Sequence, residues 1–330
     1  MRVLISTIPF GQKDSTPLSL LEDVGAEVVI NPLERKFTEE DLLRLLPDFD
    51  VLIAGTEPIT RKVLKAAKRL KFISRVGIGL DSVDLEAARD HSVLVSYTPD
   101  APAPAVAELT VGLMIDLLRA VQVSNHRMHN GIWHRYFGRR LTEVTIGLVG
   151  VGRIGSRVIR HLSGFECQKI LVNDIDPNIN LPTHPSCDVE MVNKETLFQN
   201  SDVISLHVPL TGKTRNLIGA KEFQMMKADA LVVNTARGGI VNEADLYDAL
   251  EAGRIAGAAI DVFDKEPYSG RLENLDQCLL TAHMGSMSVD CRSRMEREAT
   301  EEAIRFISDV KLLSPVPDSE YLNQTRFGVG

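Results

Sequence analysis

Thr145-Ile146-Gly147-Leu148-Val149-Gly150-Val151-Gly152-Arg153-Ile154-Gly155 is the stretch that decides the fold. A short apolar run leads into a glycine-rich turn, and the helical pattern of residues 156–162 follows directly. This order predicts a parallel strand, a tight turn and a helix whose free N–H groups attract a pyrophosphate. Glycine permits the turn at 150, close approach of a ligand at 152, and packing of the helix on its strand at 155. We therefore expect a dinucleotide-binding unit.

The next strand-like run ends at Asp174, which lies 19 residues after Gly155. A carboxylate about 20 residues beyond the last glycine is suited to bind ribose hydroxyls. It would repel a 2′-phosphate, so the spacing favours NAD over NADP. The alternative is a turn kept for packing alone, with Asp174 as a solvated charge, and the strand–turn–helix context disfavours it.

Strand-like runs alternate with helical patterns along nearly the whole chain, which is typical of α/β proteins with parallel sheets. The first series comprises Arg2–Ser6, Glu27–Ile30, Val51–Ala54, Phe72–Arg75 and Val93–Ser96. The second series comprises Thr145–Val149, Ile170–Asn173, Val203–Leu206, Leu231–Asn234, Ala258–Ile260 and Leu279–Thr281. The second series is apolar on both faces, as expected of strands covered by helices on each side.

The segment Thr98–Pro104 contains three prolines and predicts a hinge or a crossing between domains. We expect one long amphipathic helix after it, from about Ala105 to His129, and a last long helix over about Ser288–Ser308 that packs back on the first domain. A chain of 330 residues exceeds what one hydrophobic core usually organises, so two domains are expected.

Composition excludes several classes of protein. The net charge of −8 argues against a nucleic-acid-binding surface, and the N-terminal run Met1–Ser6 is too short for a signal peptide. The most apolar helix candidate, Thr110–Val121, is interrupted by charges and too short to span a membrane. The four cysteines show no CxxC pairing, so we expect reduced thiols, a cytoplasmic protein and no metal site.

Three ionisable residues follow strand-like runs in the second half, namely Arg237, Glu266 and His283. Carboxyl ends of parallel strands face the ligand crevice, so we expect the three to converge near the nicotinamide. Oxidation of an alcohol beside a carboxylate needs a base, for which histidine is suited, and a carboxylate that orients its ring. An arginine can bind the substrate carboxylate with two hydrogen bonds. Each residue alone is more often a surface charge, and the combination carries the hypothesis.

The sequence resembles the D-isomer-specific 2-hydroxyacid dehydrogenase family, and most closely its 3-phosphoglycerate dehydrogenase-like branch. Seven motifs in order carry the resemblance over almost the whole chain: residues 76–84, 107–110, 147–155, 207–211, 234–239, 261–267 and 283–286. It implies an NAD-dependent oxidoreductase that acts on the CH–OH group of a small 2-hydroxy or 2-oxo acid, and a homodimer joined through the cofactor domains. It also implies two doubly wound, Rossmann-like domains, with the substrate domain discontinuous over 1–98 and 288–330 and an NAD-binding domain over 99–287.

By the same resemblance Arg237, Glu266 and His283 are the catalytic residues, and Asp261 contacts the nicotinamide amide. The full set of expected cofactor-binding residues is Gly150, Gly152, Arg153, Ile154, Gly155, Asp174, His207, Val208, Pro209, Thr235, Ala236, Asp261 and Gly285. Substrate contacts are expected from Arg75, Val76, Gly77, Arg237 and His283, with backbone N–H groups of Val76 and Gly77 facing the substrate carboxylate. Taken alone, each of these features has a structural interpretation that competes with a binding role. The 207–211 segment can be a proline-ended strand, residues 77–79 can be a tight turn, and Asp261 can be a helix cap or a solvated strand end.

The sequence departs from the phosphoglycerate-specific pattern in one loop. These members usually carry an arginine in the loop that matches Ile53–Thr56, where this chain has no cation. Arg75 and Arg135 are the other candidates to bind a phosphate or second carboxylate, although solvated arginines are the plainer interpretation. We expect no serine feedback through C-terminal regulatory domains. A glyoxylate or hydroxypyruvate reductase, and an NADH-sensing corepressor-like interaction protein, remain the alternative functions.

Overall fold

The computed structural model describes residues 1–182 and 187–327. Two compact units make up the chain: unit 1 comprises Met1–Pro102 and Met287–Gly330, and unit 2 comprises Ala103–Ser286. Unit 1 is thus discontinuous in sequence, with unit 2 inserted between its two parts.

Unit 1 contains a parallel five-stranded sheet with the strand order β2-β1-β3-β4-β5. Its strands are β1 (Arg2–Ile5), β2 (Glu27–Ile30), β3 (Val51–Ala54), β4 (Phe72–Arg75) and β5 (Leu94–Tyr97). Its helices are α1 (Thr16–Asp23), α2 (Glu39–Leu45), α3 (Arg61–Ala66), α4 (Leu85–Asp90), α11 (Val289–Ile307) and α12 (Asp318–Phe327). Helix α11 packs on α1, β3 and β4, so the last part of the chain completes the unit formed by the first part.

Unit 2 contains a parallel seven-stranded sheet with the order β12-β11-β10-β9-β6-β7-β8. Its strands are β6 (Thr145–Val149), β7 (Lys169–Asn173), β8 (Asp188–Met191), β9 (Val203–Leu206), β10 (Leu231–Asn234), β11 (Gly257–Ile260) and β12 (Cys278–Leu280). Its helices are α5 (Ala103–Arg119), α6 (Val121–His129), α7 (Gly155–Gly164), α8 (Lys194–Asn200), α9 (Ala220–Met225) and α10 (Glu243–Glu251).

The unit 2 sheet is covered on both faces. Successive residues of one strand enter opposite cores, as Val232 and Val233 of β10 do, because side chains alternate across a strand. The predicted α/β class with doubly wound parallel sheets is therefore confirmed. The sheet runs outward in both directions from β6 and β9, so the chain reverses direction across the sheet between these two strands.

The helix expected from about Ala105 to His129 is two helices. Helix α5 begins at Ala103, because Pro104 is tolerated in the first turn, where the N–H group that proline lacks would have no partner within the helix. It breaks at Ala120, which has a φ of +49°. The side chain of Asp116 accepts a hydrogen bond from the Gln122 amide at 2.9 Å and so caps the start of α6. No residue of α6 is buried.

Strand β8 and helix α12 are among the elements that were not anticipated from the sequence. Strand β8 alternates polar and apolar residues at the edge of the sheet, and Lys169 pairs there with Asp188 and Glu190 at 2.6 and 2.5 Å. In the described part of the chain, no helix has the length and apolarity needed to cross a membrane.

Candidate active site

The glycine turn lies where the chain reverses direction across the sheet, after β6 and beside the end of β9. Gly150 has a φ of +94°, and a Cβ atom there would stand 2.5 Å from the carbonyl oxygen of His207. A Cβ on Gly155 would stand 2.2 Å from the carbonyl oxygen of Gly150. Contacts within the protein are therefore sufficient to require glycine at both positions. A Cβ on Gly152, by contrast, would meet no atom within 4 Å.

The open space at Gly152 is the observation that tests whether this turn fits a dinucleotide. Glycine there is not explained by contacts within the protein, whereas it leaves the backbone accessible to a ligand at the start of α7. The neighbouring Arg153 is exposed and Ile154 is half-buried. Helix α7 has ten residues, so its first N–H groups can bind an anion with the helix dipole behind them. The turn thus fits a pyrophosphate.

Asp174 lies one residue beyond β7 and turns toward the glycine turn. Its Oδ2 accepts a hydrogen bond from the Val151 amide at 2.7 Å, and its Oδ1 accepts one from the Asp176 amide at 3.0 Å. The carboxylate that the sequence singled out is therefore fixed beside the turn.

The segment after β9 contains His207, Val208 and Pro209. The His207 imidazole points back toward β9, with Nε2 3.0 Å from the Ser205 hydroxyl, and Nδ1 is buried with no hydrogen-bond partner. Burial lowers the pKa of His207 from 6.5 to about 4, so the ring is neutral at pH 7. Val208 is half-buried and Pro209 exposed.

The segment after β10 is shaped by Asn234. Its Nδ2 donates to the carbonyl oxygen of Arg237 at 2.9 Å, and its Oδ1 accepts from the Ala236 amide at 3.1 Å. Thr235 is buried, and its hydroxyl lies 2.8 Å from that of Thr110 on α5. The Arg237 guanidinium donates from Nη1 to the Ala236 carbonyl oxygen at 2.6 Å.

The ends of β10, β11 and β12 are aligned, since Asn234 pairs with Ile260 and Ile260 with Leu280. Arg237, Glu266 and His283 follow these three strands, so they lie at the same edge of one sheet. The loops also touch, because a Cβ on Gly238 would overlap the carbonyl oxygen of Phe263 at 2.0 Å.

Glu266 and His283 contact each other directly. The Nδ1 atom of His283 lies 2.9 Å from Oε2 and 3.0 Å from Oε1 of Glu266. Because an ionised carboxylate only accepts hydrogen bonds, Nδ1 carries the proton, and Nε2 is the nitrogen that can take up another. The two side chains are 35% and 24% exposed, so a small molecule can reach them.

Asp261, at the end of β11, is completely buried. Its carboxylate accepts hydrogen bonds from the Thr281 hydroxyl at 2.6 Å and the Met284 and Gly285 amides at 2.7 and 2.9 Å. Burial raises the pKa of Asp261, and these hydrogen bonds oppose the rise. The roles of Thr281 and Thr110 as partners of Asp261 and Thr235 were not anticipated. The signals available were that Thr110 ends the 107–110 motif and that Thr281 lies two residues before His283.

In unit 1 the backbone N–H groups of Val76 and Gly77 have partners within the unit. The Val76 amide donates to the Ala54 carbonyl oxygen at 2.8 Å, and the Gly77 amide to the Thr98 hydroxyl at 2.7 Å. Both N–H groups expected to face a substrate carboxylate are therefore engaged inside the unit. Arg75 is buried and donates to the Val76 carbonyl oxygen, so it holds this turn, in which Gly77 has a φ of +137°.

Comparison with known proteins identifies the family. The sequence-family model for the NAD-binding domain of D-isomer specific 2-hydroxyacid dehydrogenases matches residues 111–285 of the chain. These residues contain the glycine turn and all three candidate catalytic residues. The chain belongs to this family. Its members are NAD-dependent oxidoreductases that act on the CH–OH group of their donors, and NAD is the cofactor of the matched domain.

Several known proteins are similar to this chain over most of its length. A D-3-phosphoglycerate dehydrogenase of Methanocaldococcus jannaschii is 39% identical over 94% of the chain, which spans 59% of that protein's length. A hydroxypyruvate reductase of Thermotoga maritima is 34% identical over 86% of the chain and 95% of its own length. The crystal structure of a glyoxylate reductase from Paecilomyes thermophila superposes with a TM-score of 0.83 at 28% identity, covering 97% of this chain and 99% of that one.

Proposed function

We propose that this family member transfers a hydride between NAD and the C2 carbon of a small D-2-hydroxy or 2-oxo acid. The observation that carries the proposal is the contact of His283 Nδ1 with the Glu266 carboxylate at 2.9 and 3.0 Å, at the sheet edge shared with Arg237. When bound, NAD⁺ would accept the hydride from C2 in the oxidation, and NADH would supply it in the reduction.

His283 acts as the acid–base group. In the oxidation Nε2 takes the hydroxyl proton while C2 becomes a carbonyl carbon, and in the reduction it returns this proton to the carbonyl oxygen. Glu266 keeps the proton on Nδ1, orients the ring and stabilises the imidazolium formed in the oxidation. In this pair His283 is the base and Glu266 is the carboxylate that orients it.

Arg237 binds the substrate carboxylate. Its guanidinium can donate two parallel hydrogen bonds, which fix the acid in one orientation next to His283. The cofactor-binding residues proposed from the sequence lie in the segments that follow β6, β7, β9, β10, β11 and β12, which is the edge where doubly wound sheets bind their ligands. Unit 1 is proposed as the substrate-binding unit.

A substrate panel tests this proposal. NADH absorbance is followed with 3-phosphoglycerate, glycerate, lactate and hydroxypyruvate, in the wild type and in Glu266→Gln. We expect turnover of at least one acid and a loss of about tenfold to a hundredfold in kcat for the variant. NADH binding without turnover of any acid would favour a nucleotide-sensing interaction protein instead.

A glyoxylate or hydroxypyruvate reductase is the second candidate. A hydroxypyruvate reductase of Thermotoga maritima is 34% identical over 86% of the chain. The loop Ile53–Thr56 also carries no cation for a phosphate. Faster turnover of hydroxypyruvate or glyoxylate than of 3-phosphoglycerate supports this assignment, and the reverse order excludes it.

The proposed partner is a second copy of the chain, joined through the cofactor units. In the segment 121–137, Trp133 is 74% exposed, Phe137 is fully exposed and α6 buries no residue. Large exposed aromatic side chains on one segment are typical of a protein interface. Light scattering tests this: Trp133→Ser with Phe137→Ser is expected to yield monomers, while Phe165→Ser, an exposed control in the same unit, keeps the dimer.

We also propose a cytoplasmic location, with neither nucleic acid nor membrane as a partner. All four cysteines are buried and free, which suits a reducing compartment, and the net charge of −8 repels phosphate backbones.

A further inference from the structure

The buried carboxylate of Asp261 lies at the centre of the loop that carries His283. Three donors of this loop, the Thr281 hydroxyl and the Met284 and Gly285 amides, point at its two oxygens over 2.6–2.9 Å. A carboxylate has about four acceptor sites, so most of its capacity is used inside the loop. The side chain is completely inaccessible to solvent in this unit.

The backbone of Asp261 holds the same loop. Its carbonyl oxygen accepts a hydrogen bond from the His283 amide at 2.8 Å. His283 has a φ of +52°, in the left-handed region that non-glycine residues rarely occupy. Such a conformation persists only where surrounding contacts fix it, and it sets the direction in which the imidazole leaves the backbone. Gly285 fits tightly, since a Cβ there would stand 3.2 Å from Asp261 Oδ2.

We propose that Asp261 is a positioning residue for His283, which acts by folding the Thr281–Gly285 loop around its carboxylate. Contact with the nicotinamide amide, the role first expected of Asp261, is then not its principal contribution. The inference rests on the proposed function, because positioning matters only if His283 transfers the proton. Loosening the loop displaces the imidazole from Glu266, and a misplaced base slows the reaction without weakening cofactor binding.

Thr281 offers a variant that probes this arrangement without removing the buried charge. Thr281→Val keeps the shape of the side chain and deletes the hydroxyl that donates to Asp261, whereas Thr281→Ser retains a donor. Asp261→Asn is the stronger variant, because the Met284 and Gly285 amides donate to different oxygens and an amide side chain replaces one of these oxygens by a donor. Should Asp261→Asn fail to fold, the threonine pair still decides the question.

Two measurements separate positioning from a direct cofactor contact. The first is the Hε1 resonance of His283 in ¹³C-histidine-labelled enzyme without cofactor, identified by its loss in His283→Ala. The second is the Kd of NADH from fluorescence, alongside kcat. We expect Thr281→Val to shift the resonance and lower kcat roughly tenfold with an unchanged Kd, and Thr281→Ser to behave like the wild type.

An unshifted resonance in Thr281→Val would overturn the inference, whatever happens to kcat. A raised Kd for NADH with an unchanged kcat would do so too, because it would assign Asp261 to the cofactor. The resonance is recorded without turnover, so failure of the positioning role is distinguishable from failure of the proposed function. The latter would appear as normal turnover in His283→Ala.

Discussion

Asn234 and Arg237 are joined by a hydrogen bond of 2.9 Å from the Asn234 side chain to the Arg237 carbonyl oxygen. Asn234 is 1% exposed and also accepts from the Ala236 amide, so one buried amide side chain fixes the loop that presents the guanidinium. The position of Arg237 therefore depends on a residue that does not itself reach the solvent.

The first prediction concerns this loop. Replacing Asn234 with Leu removes the hydrogen bonds that the Ala236 amide and the Arg237 carbonyl oxygen make with this side chain, so we expect the KM of the acid to rise at least about tenfold. Asn234→Asp keeps the acceptor and loses the donor, and its effect should be smaller. Initial rates against acid concentration measure both. An unchanged KM in Asn234→Leu would show that Arg237 does not hold the substrate.

The second prediction concerns cofactor choice. Asp174→Ala removes the carboxylate fixed beside the glycine turn, so the ratio of kcat/KM for NADP to that for NAD should rise at least about tenfold. Asp176→Ala, two residues on and exposed, is the matched control and should leave the ratio unchanged. If Asp174→Ala behaves like this control, the ribose is recognised by other residues.

The third prediction concerns stability against pH. Burial lowers the pKa of His207 from 6.5 to about 4, so the unfolded chain binds a proton that the folded chain does not as the pH falls between these values. The free energy of unfolding should therefore decrease from about pH 6.5 toward pH 4. His207→Gln should lose less stability than the wild type between pH 7 and pH 5 in denaturant titrations. The control His161→Gln removes another histidine of unit 2, and equal slopes for both variants would contradict the assignment.

The fourth prediction concerns the thiols. Burial raises the pKa values of Cys167 and Cys278 to about 12, so at pH 8 only roughly one thiol in ten thousand at these positions is ionised. The native protein should react slowly with a disulfide reagent such as DTNB, and all four cysteines should react once it is unfolded. One rapidly modified cysteine in the native state would mean that its surroundings open in solution.

The positions of most strands and of the glycine turn were predicted well, because glycine turns, apolar strands and their spacing are local properties. Strand β8 was not predicted, because it is an edge strand that alternates polar and apolar residues. It is held to β7 partly by ion pairs of Lys169 with Asp188 and Glu190. The break at Ala120 has no glycine or proline to mark it, and depends on the cap from Asp116.

Hydrogen-bond partners were harder to foresee than positions. That the Val76 and Gly77 amides bond to Ala54 and Thr98 depends on β3 and β5 flanking β4, which sequence spacing does not reveal. Thr281 binds Asp261 from 20 residues away for the same reason. Long-range contacts of single polar groups are set by the folded sheet.

The central claim is that His283, oriented by Glu266, transfers the proton while NAD exchanges a hydride with C2. The most direct measurement is kcat of His283→Ala with the best acid of the panel, together with the Kd of NADH. We predict a kcat lower by at least about a hundredfold at an unchanged Kd. Turnover near that of the wild type would contradict the account.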